Sequence, residues 1–384
     1  MSRKIALVLG GANGLGAALV EKLNQENYEK IYIVDRCEPE IAPENSKFIR
    51  FNLISDDFEA LEEINLEEID TLIITAGVGR LDYFQNLTKT EIDNSFKINA
   101  IAVIDFIKLF YNKINSENEF HCAVISSIAG MVSSPLYSVY SATKAAVSRF
   151  IESINAELSG QGIKNRILSV APGSIKGTKF HGGNTNDLSA IAPLAEEIFD
   201  NMMARKTLFI PNGEVYNGVL ERYKADPEAF GLQSYEYKMK GNLETKPKVK
   251  VGYLTGSFDL FHVGHLNLLR RAKRYCDYLV VGVHTDGSHK GKQLVIPLED
   301  RISILKGVKY VDKVIECSQS DLDAYDELKY DYLFVGSDYK GTERFKHYEE
   351  VLNPLGVEIV YFPYTKSTSS TAIRETLKNI GDAK

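Results

Sequence analysis

Two successive series of short apolar runs, each alternating with longer amphipathic stretches, decide what this chain can fold into. In the first series KIALVLG (residues 4–10), KIYIVDR (30–36), TLIITAG (71–77), CAVISS (122–127) and NRILSVAPG (165–173) read as buried strands. Strands of that kind, separated by helical segments, imply a parallel sheet with helices on both faces. The series stops at a polar, Lys-rich stretch, GNLETKPKVK (241–250), and then restarts with KVGYLTG, a helical VGHLNLLRRAKRY, DYLVVGVHT, a helical LEDRISILKGV, KVIEC, YDYLFVG and VEIVYFPY. We therefore expect two α/β domains, residues 1–238 and 249–384, with a linker over 239–248. A length of 384 residues agrees, because it exceeds what one ordinary core fills.

Charge narrows the partners. With 45 basic and 52 acidic residues the net charge is −7, which argues against nucleic acid or a membrane surface as a general partner. Anionic small molecules would have to be held by local positive groups. No apolar run approaches the ~18 residues that span a bilayer, and MSRKIALVLGGANGLG passes into a glycine loop without a cleavage site, so a cytoplasmic protein is expected. Cys37, Cys122, Cys276 and Cys317 show no CxxC spacing, so neither a disulfide framework nor a protein-held metal site is expected.

In the first half, strand one ends in GGANGLG, where Gly10, Gly14 and Gly16, with Asn13 and Leu15 between them, open a helix. Glycine there lets backbone N–H groups approach a pyrophosphate at the helix N-terminus. An ordinary strand-to-helix turn has the same look; the position after the first strand favours the dinucleotide. Asp35 closes strand two, where a carboxylate can accept ribose hydroxyls and repel a 2′-phosphate, which favours NAD(H) over NADP(H). Arg36 beside it weighs the other way. YSATK puts Tyr140 and Lys144 one helical turn apart, where the lysine is expected to lower the phenol's pKa for general acid work, and Ser127 lies thirteen residues upstream.

With these residues, residues 1–238 resemble a short-chain dehydrogenase/reductase. TAG, carrying Ala76 and Gly77, KINA, carrying Asn99, and APGS, carrying Pro172 and Gly173, fall in that family's order. The resemblance implies Asn99, Ser127, Tyr140 and Lys144 as the catalytic set for hydride transfer, with Tyr140 as the proton donor or acceptor. Leu9 departs from the family's threonine before the loop, and PGSIKGT carries one extra residue before its threonine. In the lid region, 174–205, Lys176, Lys179, His181 and Arg205 are candidates for a substrate phosphate or simply a solvated basic face.

In the second half, GSFDLFHVGH places His262 and His265 around Val-Gly at a helix start. No Cys or His cluster accompanies them, so zinc is disfavoured. An anion site at a helix N-terminus fits better than core histidines. Ser257, Phe258 and Asp259 precede the pair, Lys290, Lys292 and Arg301 follow, and Ser369, Ser370 and Thr371 stand before a last helix. In this order residues 249–376 resemble cytidylyltransferases of the glycerol-3-phosphate type, with an HxGH nucleotidyltransferase fold. The resemblance implies the two histidines on the phosphates, Lys290 and Lys292 near the α-phosphate and acceptor, Arg301 anchoring substrate, Asp338 in the nucleotide pocket, the Ser369–Thr371 hydroxyls on the triphosphate, and Mg2+ arriving with CTP. Tyr364, Tyr339 and Lys309 replace two arginines and a tryptophan of the glycerol-type enzymes, which puts glycerol 3-phosphate itself in doubt.

The expected fold is thus α/β throughout, a Rossmann-type doubly wound parallel sheet followed by a smaller nucleotidyltransferase domain. The fusion implies reduction of a ketose phosphate, ribulose 5-phosphate for example, to a polyol phosphate, then CMP transfer to give a CDP-polyol for a capsule or teichoic-acid-like polymer. Two alternatives stand beside it: a reductase acting on a CDP-linked sugar or an adjacent step, and an NAD(H)-sensing binding protein. Both families commonly form dimers or tetramers, so a homo-oligomer is expected.

Overall fold

The computed structural model describes residues 4–56, 58–178, 180, 187–240, 250–285, 294–317 and 320–363. The chain divides into two compact units, Met1–Pro247 and Lys248–Lys384.

The first unit holds β1 (Ile5–Leu9), β2 (Lys30–Asp35), β3 (Ser46–Arg50), β4 (Thr71–Ile74), β5 (His121–Ile125), β6 (Ile167–Val170) and β7 (Leu208–Phe209) in one sheet of order β3-β2-β1-β4-β5-β6-β7. Every pairing is parallel. The pleat of β1 shows why its apolar run is unbroken. Ile5, Leu7 and Leu9 face one core with Val103, Phe106, Val147 and Ile151, whereas Ala6 and Val8 face the other with Leu19, Leu23, Ile198 and Phe199. Helices Gly14–Gln25 and Leu188–Met203 cover the second face, and Ala102–Leu109 and Ser138–Gly160 cover the first. The chain moves outward from β1 in one direction and then returns to β4 on its other side. This reversal parts the loops after β1 and β4 and opens a crevice at the carboxyl edge of the sheet.

Two strands escape a reading based on apolar runs. Only Ile49 of SKFIR in β3 is fully buried, and β7 has two residues. Both are edge strands, where one face meets little of the core and the apolar signal fades.

The second unit repeats the device with β8 (Val251–Gly256), β9 (Tyr278–His284), β10 (Lys313–Cys317), β11 (Tyr332–Gly336) and β12 (Glu358–Phe362), ordered β10-β9-β8-β11-β12 and again wholly parallel. Leu254, Val281, Val283 and Phe334 pack on one face, Tyr253, Val280, Leu333 and Tyr348 on the other. Both units are therefore α/β with doubly wound parallel sheets. Among the described residues no helix is long and apolar enough to cross a membrane.

Candidate active sites

The crevice of the first unit is a cavity of about 460 Å³. One wall is the glycine loop. Gly10 has φ +85° and Gly14 φ +53°, and a Cβ on Gly16 would lie 2.0 Å from the Gly10 carbonyl oxygen. Only glycine permits that approach, so the loop offers bare backbone to the cavity. Asn13 caps the helix Gly14–Gln25 without a side-chain capping bond and lines the cavity. Leu15 is buried among the core residues at the start of that helix and also lines the cavity. The Thr75 hydroxyl lies 2.8 Å from the Gly10 carbonyl and 3.1 Å from that of Leu9, which ties the loop to β4 beside the buried Leu9. Asp35 is half-buried, and its two carboxylate oxygens accept from the N–H groups of Ala12 and Cys37, each at 3.1 Å. Burial pushes this carboxyl up and the backbone bonds pull it down. These residues fit the pyrophosphate and ribose of a dinucleotide.

The reacting end draws its polar side chains from three different elements. Asn99 sits fully buried in a π-helical turn, Lys97–Ile101, a local insertion often found at functional sites. Its Oδ1 accepts from the Val78 N–H and its Nδ2 donates to the Val78 carbonyl, both at 2.8 Å, and to Thr143 Oγ1 at 3.1 Å. Ser127 Oγ accepts from Ala129 N–H at 3.1 Å and donates to the Pro172 carbonyl at 3.4 Å. Lys144, 3% exposed, donates to the Ile125 carbonyl at 2.8 Å and stands 5.8 Å from the centre of the Tyr140 ring. Ala76, Gly77, Pro172 and Gly173 line the same space. A Cβ on Gly77 would meet Lys144 Nζ at 3.4 Å and Asn99 Oδ1 at 3.5 Å.

The electrostatics correct one expectation. Burial raises the Tyr140 phenol above its ordinary value, with a hydrogen bond to Ser127 pulling the other way, and burial holds the Lys144 ammonium down at about 8. At about 8 Lys144 still carries its charge near pH 7, and burial of the phenol nonetheless keeps Tyr140 protonated there. That state suits a proton donor.

Of the basic residues expected in the lid, the two that are described, Lys176 and Arg205, do not line this cavity. Arg205 pairs with Glu119 at 2.8 Å, next to the amino end of β5 and therefore at the opposite edge of the sheet. Lys176 is exposed, and Lys179 and His181 lie outside the described residues. Lys238 lines the cavity instead, together with Tyr137, Ser134, Phe180 and Thr178. It lies on the helix Pro227–Lys240, whose sequence carries no helical apolar stripe to mark an inward face. The extra residue in PGSIKGT still leaves Thr178 beside Gly14, where a Cβ would meet its Cγ2 at 3.4 Å.

In the second unit His262 is the N-cap of the helix Val263–Lys273, its Nδ1 accepting from Gly264 N–H at 3.1 Å. Its ring stacks on His265 at 4.0 Å between centroids and 25°. Burial lowers the His262 pKa, which leaves the imidazole neutral near pH 7. Three neighbours expected to touch the nucleotide do scaffolding in this structure. Phe258, 3% exposed and at φ 49°, packs edge-on against His265 at 5.2 Å. The Asp259 carboxylate is buried and accepts from the N–H groups of Val295 and Ile296, at 2.9 Å for the latter. Arg301, 1% exposed, donates to the carbonyls of Ser257 at 2.7 Å, His284 at 2.9 Å, Ile296 at 3.0 Å and Thr285 at 3.4 Å. Its fork clamps three loops together, so its side chain positions the site rather than anchoring a substrate. Ser257 is partly exposed, and Asp338 is exposed in the turn Ser337–Tyr339 after β11. Lys290, Lys292, Ser369, Ser370, Thr371 and Tyr364 lie outside the described residues.

Comparison with known proteins follows this division. Residues 4–188 match the short chain dehydrogenase family and residues 253–376 the cytidylyltransferase-like family. Over 188 residues the chain is 32% identical to the uncharacterized oxidoreductase TDA5 of Saccharomyces cerevisiae, covering 46% of this chain and 57% of that protein. The chain thus spans little more than half of the yeast relative's length. Over 129 residues it is 36% identical to glycerol-3-phosphate cytidylyltransferase of Bacillus subtilis, covering 33% of this chain and 95% of that protein. A short chain dehydrogenase from Burkholderia cenocepacia, solved in complex with NADP, superposes with a TM-score of 0.51 at 22% identity, over 61% of this chain and 99% of that one, a likeness of fold. The glycine-loop cavity and the paired histidines thus have a family each, and the chain belongs to both, as a short-chain dehydrogenase joined to a cytidylyltransferase-like domain.

Proposed function

We propose that the protein makes a CDP-polyol in two steps, reduction of a ketose phosphate to a polyol phosphate and transfer of CMP from CTP to that product. The observation that carries this reading is the presence on one chain of a reductase cavity and a paired-histidine helix start, two chemistries that follow one another on a phosphorylated sugar. Ribulose 5-phosphate is the leading substrate, CDP-ribitol the product, and a bacterial surface polymer the setting.

A bound nicotinamide dinucleotide supplies the hydride, held by the loop of Gly10, Asn13, Gly14 and Gly16. The Asp35 carboxylate supports NAD(H) over NADP(H), because a 2′-phosphate would meet its charge. The chain's own part is to orient and protonate. Ser127 fixes the substrate oxygen, Tyr140 releases its phenolic proton to that oxygen as charge develops there, and a proton from solvent restores the phenol past the neighbouring Lys144 and Asn99. In the second step the acceptor phosphate oxygen attacks the α-phosphorus of CTP and pyrophosphate leaves. His262 and His265, with Lys290 and Lys292, stabilise the charge gained by the phosphoryl oxygens, and Mg2+ brought in with CTP neutralises the leaving group.

The test follows pyrophosphate release from CTP and Mg2+ with a panel of polyol phosphates, beside oxidation of NADH and NADPH with ketose phosphates. Release with ribitol 5-phosphate and oxidation with ribulose 5-phosphate are expected. Release with ATP and none with CTP would overturn the cytidylyl step.

A further inference from the structure

The reductase cavity has a second cationic end that the chemistry above does not use. Lys238 stands in the last turn of the helix Pro227–Lys240 and reaches the cavity wall. Its ammonium donates to Ser134 Oγ at 2.7 Å and to the Pro135 carbonyl at 2.9 Å, and lies 5.5 Å from the centre of the Tyr137 ring. The Tyr137 ring is 5.2 Å from that of Tyr140. One aromatic ring thus separates this cation from the proton donor.

Among the described residues, the hydrogen-bond partners of Lys238 are neutral oxygens. A lysine desolvated beside aromatic rings with no counter-charge is costly, and burial accordingly holds it down at about 8. Such a cost falls when an anion enters. An ammonium has three donors; two are spent on Ser134 and Pro135, which leaves one directed by the first two. Ser134 adds a hydroxyl at the same point. The other cations lining the cavity are placed for different work: Lys144 is bonded to the Ile125 carbonyl, and Arg36 adjoins Asp35 at the dinucleotide end.

We propose that Lys238 receives the phosphate of the reductase substrate and sets its specificity for phosphorylated over neutral ketones, with Ser134 as its partner. This rests on the ketose-phosphate reading and adds the residue that would enforce it. The geometry excludes Arg205, at the far edge of the sheet, from this role.

The experiment measures NADH-dependent reduction of ribulose 5-phosphate and of ribulose by the full chain, the Lys238→Gln variant and the Lys238→Arg variant. Glutamine can still donate to Ser134, so it removes the charge while keeping a tie from the helix to the loop. Wild type should prefer the phosphorylated ketose. Lys238→Gln should raise its KM at least tenfold with kcat within threefold, and Lys238→Arg should recover most of the preference. NADH binding by each variant, read from the coenzyme's fluorescence, checks the fold. Retention of the preference in a folded Lys238→Gln protein overturns the assignment of Lys238 and leaves the ketose-phosphate reading standing. A wild type that reduces both ketones equally, or neither, overturns the reading and this inference together. Should Lys238→Gln not fold, the comparison passes to Lys238→Arg, for which a tenfold loss of preference through kcat rather than KM counts against a binding role.

Discussion

In the first unit Lys144, Asn99 and Ser127 each bond to backbone belonging to another element: the end of β5, the loop after β4 and the loop after β6. In the second unit His262 is held by the first turn of its own helix, and the crosslinking between loops is done by Asp259 and Arg301. Chemistry and scaffold are the same side chains in one site and different side chains in the other. The difference teaches where a substitution separates activity from stability. Replacing a reacting residue of the cavity disturbs the sheet edge that it stitches. Replacing a histidine of the pair should, on the proposed mechanism, remove charge stabilisation and leave the loops clamped.

The comparison can be broken in four ways. Tyr140 is the exception within the cavity, since its phenol bonds the Ser127 side chain rather than the backbone of another element; as the proposed proton donor, Tyr140→Phe should lower ketone reduction on the order of 10³-fold and leave pyrophosphate release untouched. Loss of both activities would show that the units do not work independently. His262→Asn keeps a side-chain oxygen for the Gly264 N–H, so the helix cap persists while the imidazole goes. CMP transfer should then drop on the order of 100-fold with unchanged thermal unfolding, and His265→Asn should behave alike. Arg301→Met leaves three well-made carbonyl bonds empty and should cost about 2 kcal/mol, seen as roughly thirtyfold faster amide exchange in β8 and β9 with no change in β1 and β4. Unaltered exchange would mean that the guanidinium is not a clamp.

The smallest effect is in the pH profile. Burial holds Lys144 at about 8 and keeps the Tyr140 phenol raised. On the proposed mechanism reduction uses the protonated forms of both, so kcat/KM for an unphosphorylated ketone should fall as pH rises through about 8, at most tenfold per unit. Stability should move in the opposite sense. The folded pKa of Lys144 lies below its unfolded value, so the unfolded chain binds more protons between about 8 and 10.5, and this group favours folding increasingly as pH rises across that window. A reduction rate flat to pH 9.5 would remove Lys144 from the reaction.

Much of this was legible before any coordinates. Strands that are buried on both faces write themselves as apolar runs, so both sheets could be read except at the edges of the first, in β3 and β7. The glycine loop was legible because a Cβ on Gly16 would strike the Gly10 carbonyl, a constraint that leaves glycine as its trace. A motif does not say which way its side chains point. Phe258, Asp259 and Arg301 sit inside recognisable stretches yet turn inward, and only packing reveals it. Lys238 was invisible for the converse reason: it stands far along the chain, in a helix with no apolar stripe, and comes to the cavity through tertiary folding alone.

The wholly parallel pairing of both sheets carries a further consequence, for the time the chain takes to fold. Parallel neighbours are joined through crossovers, and residues paired between β1 and β4 stand 65 apart in the chain, a loop that must close before their ladder forms. Such distant contacts slow the search for the native topology and leave unpaired strand edges open meanwhile. During synthesis the amino-terminal unit can complete its sheet as soon as β7 has emerged, well before β12 exists. Refolding from denaturant forfeits that head start, because two sets of sticky edges then compete in the same solution.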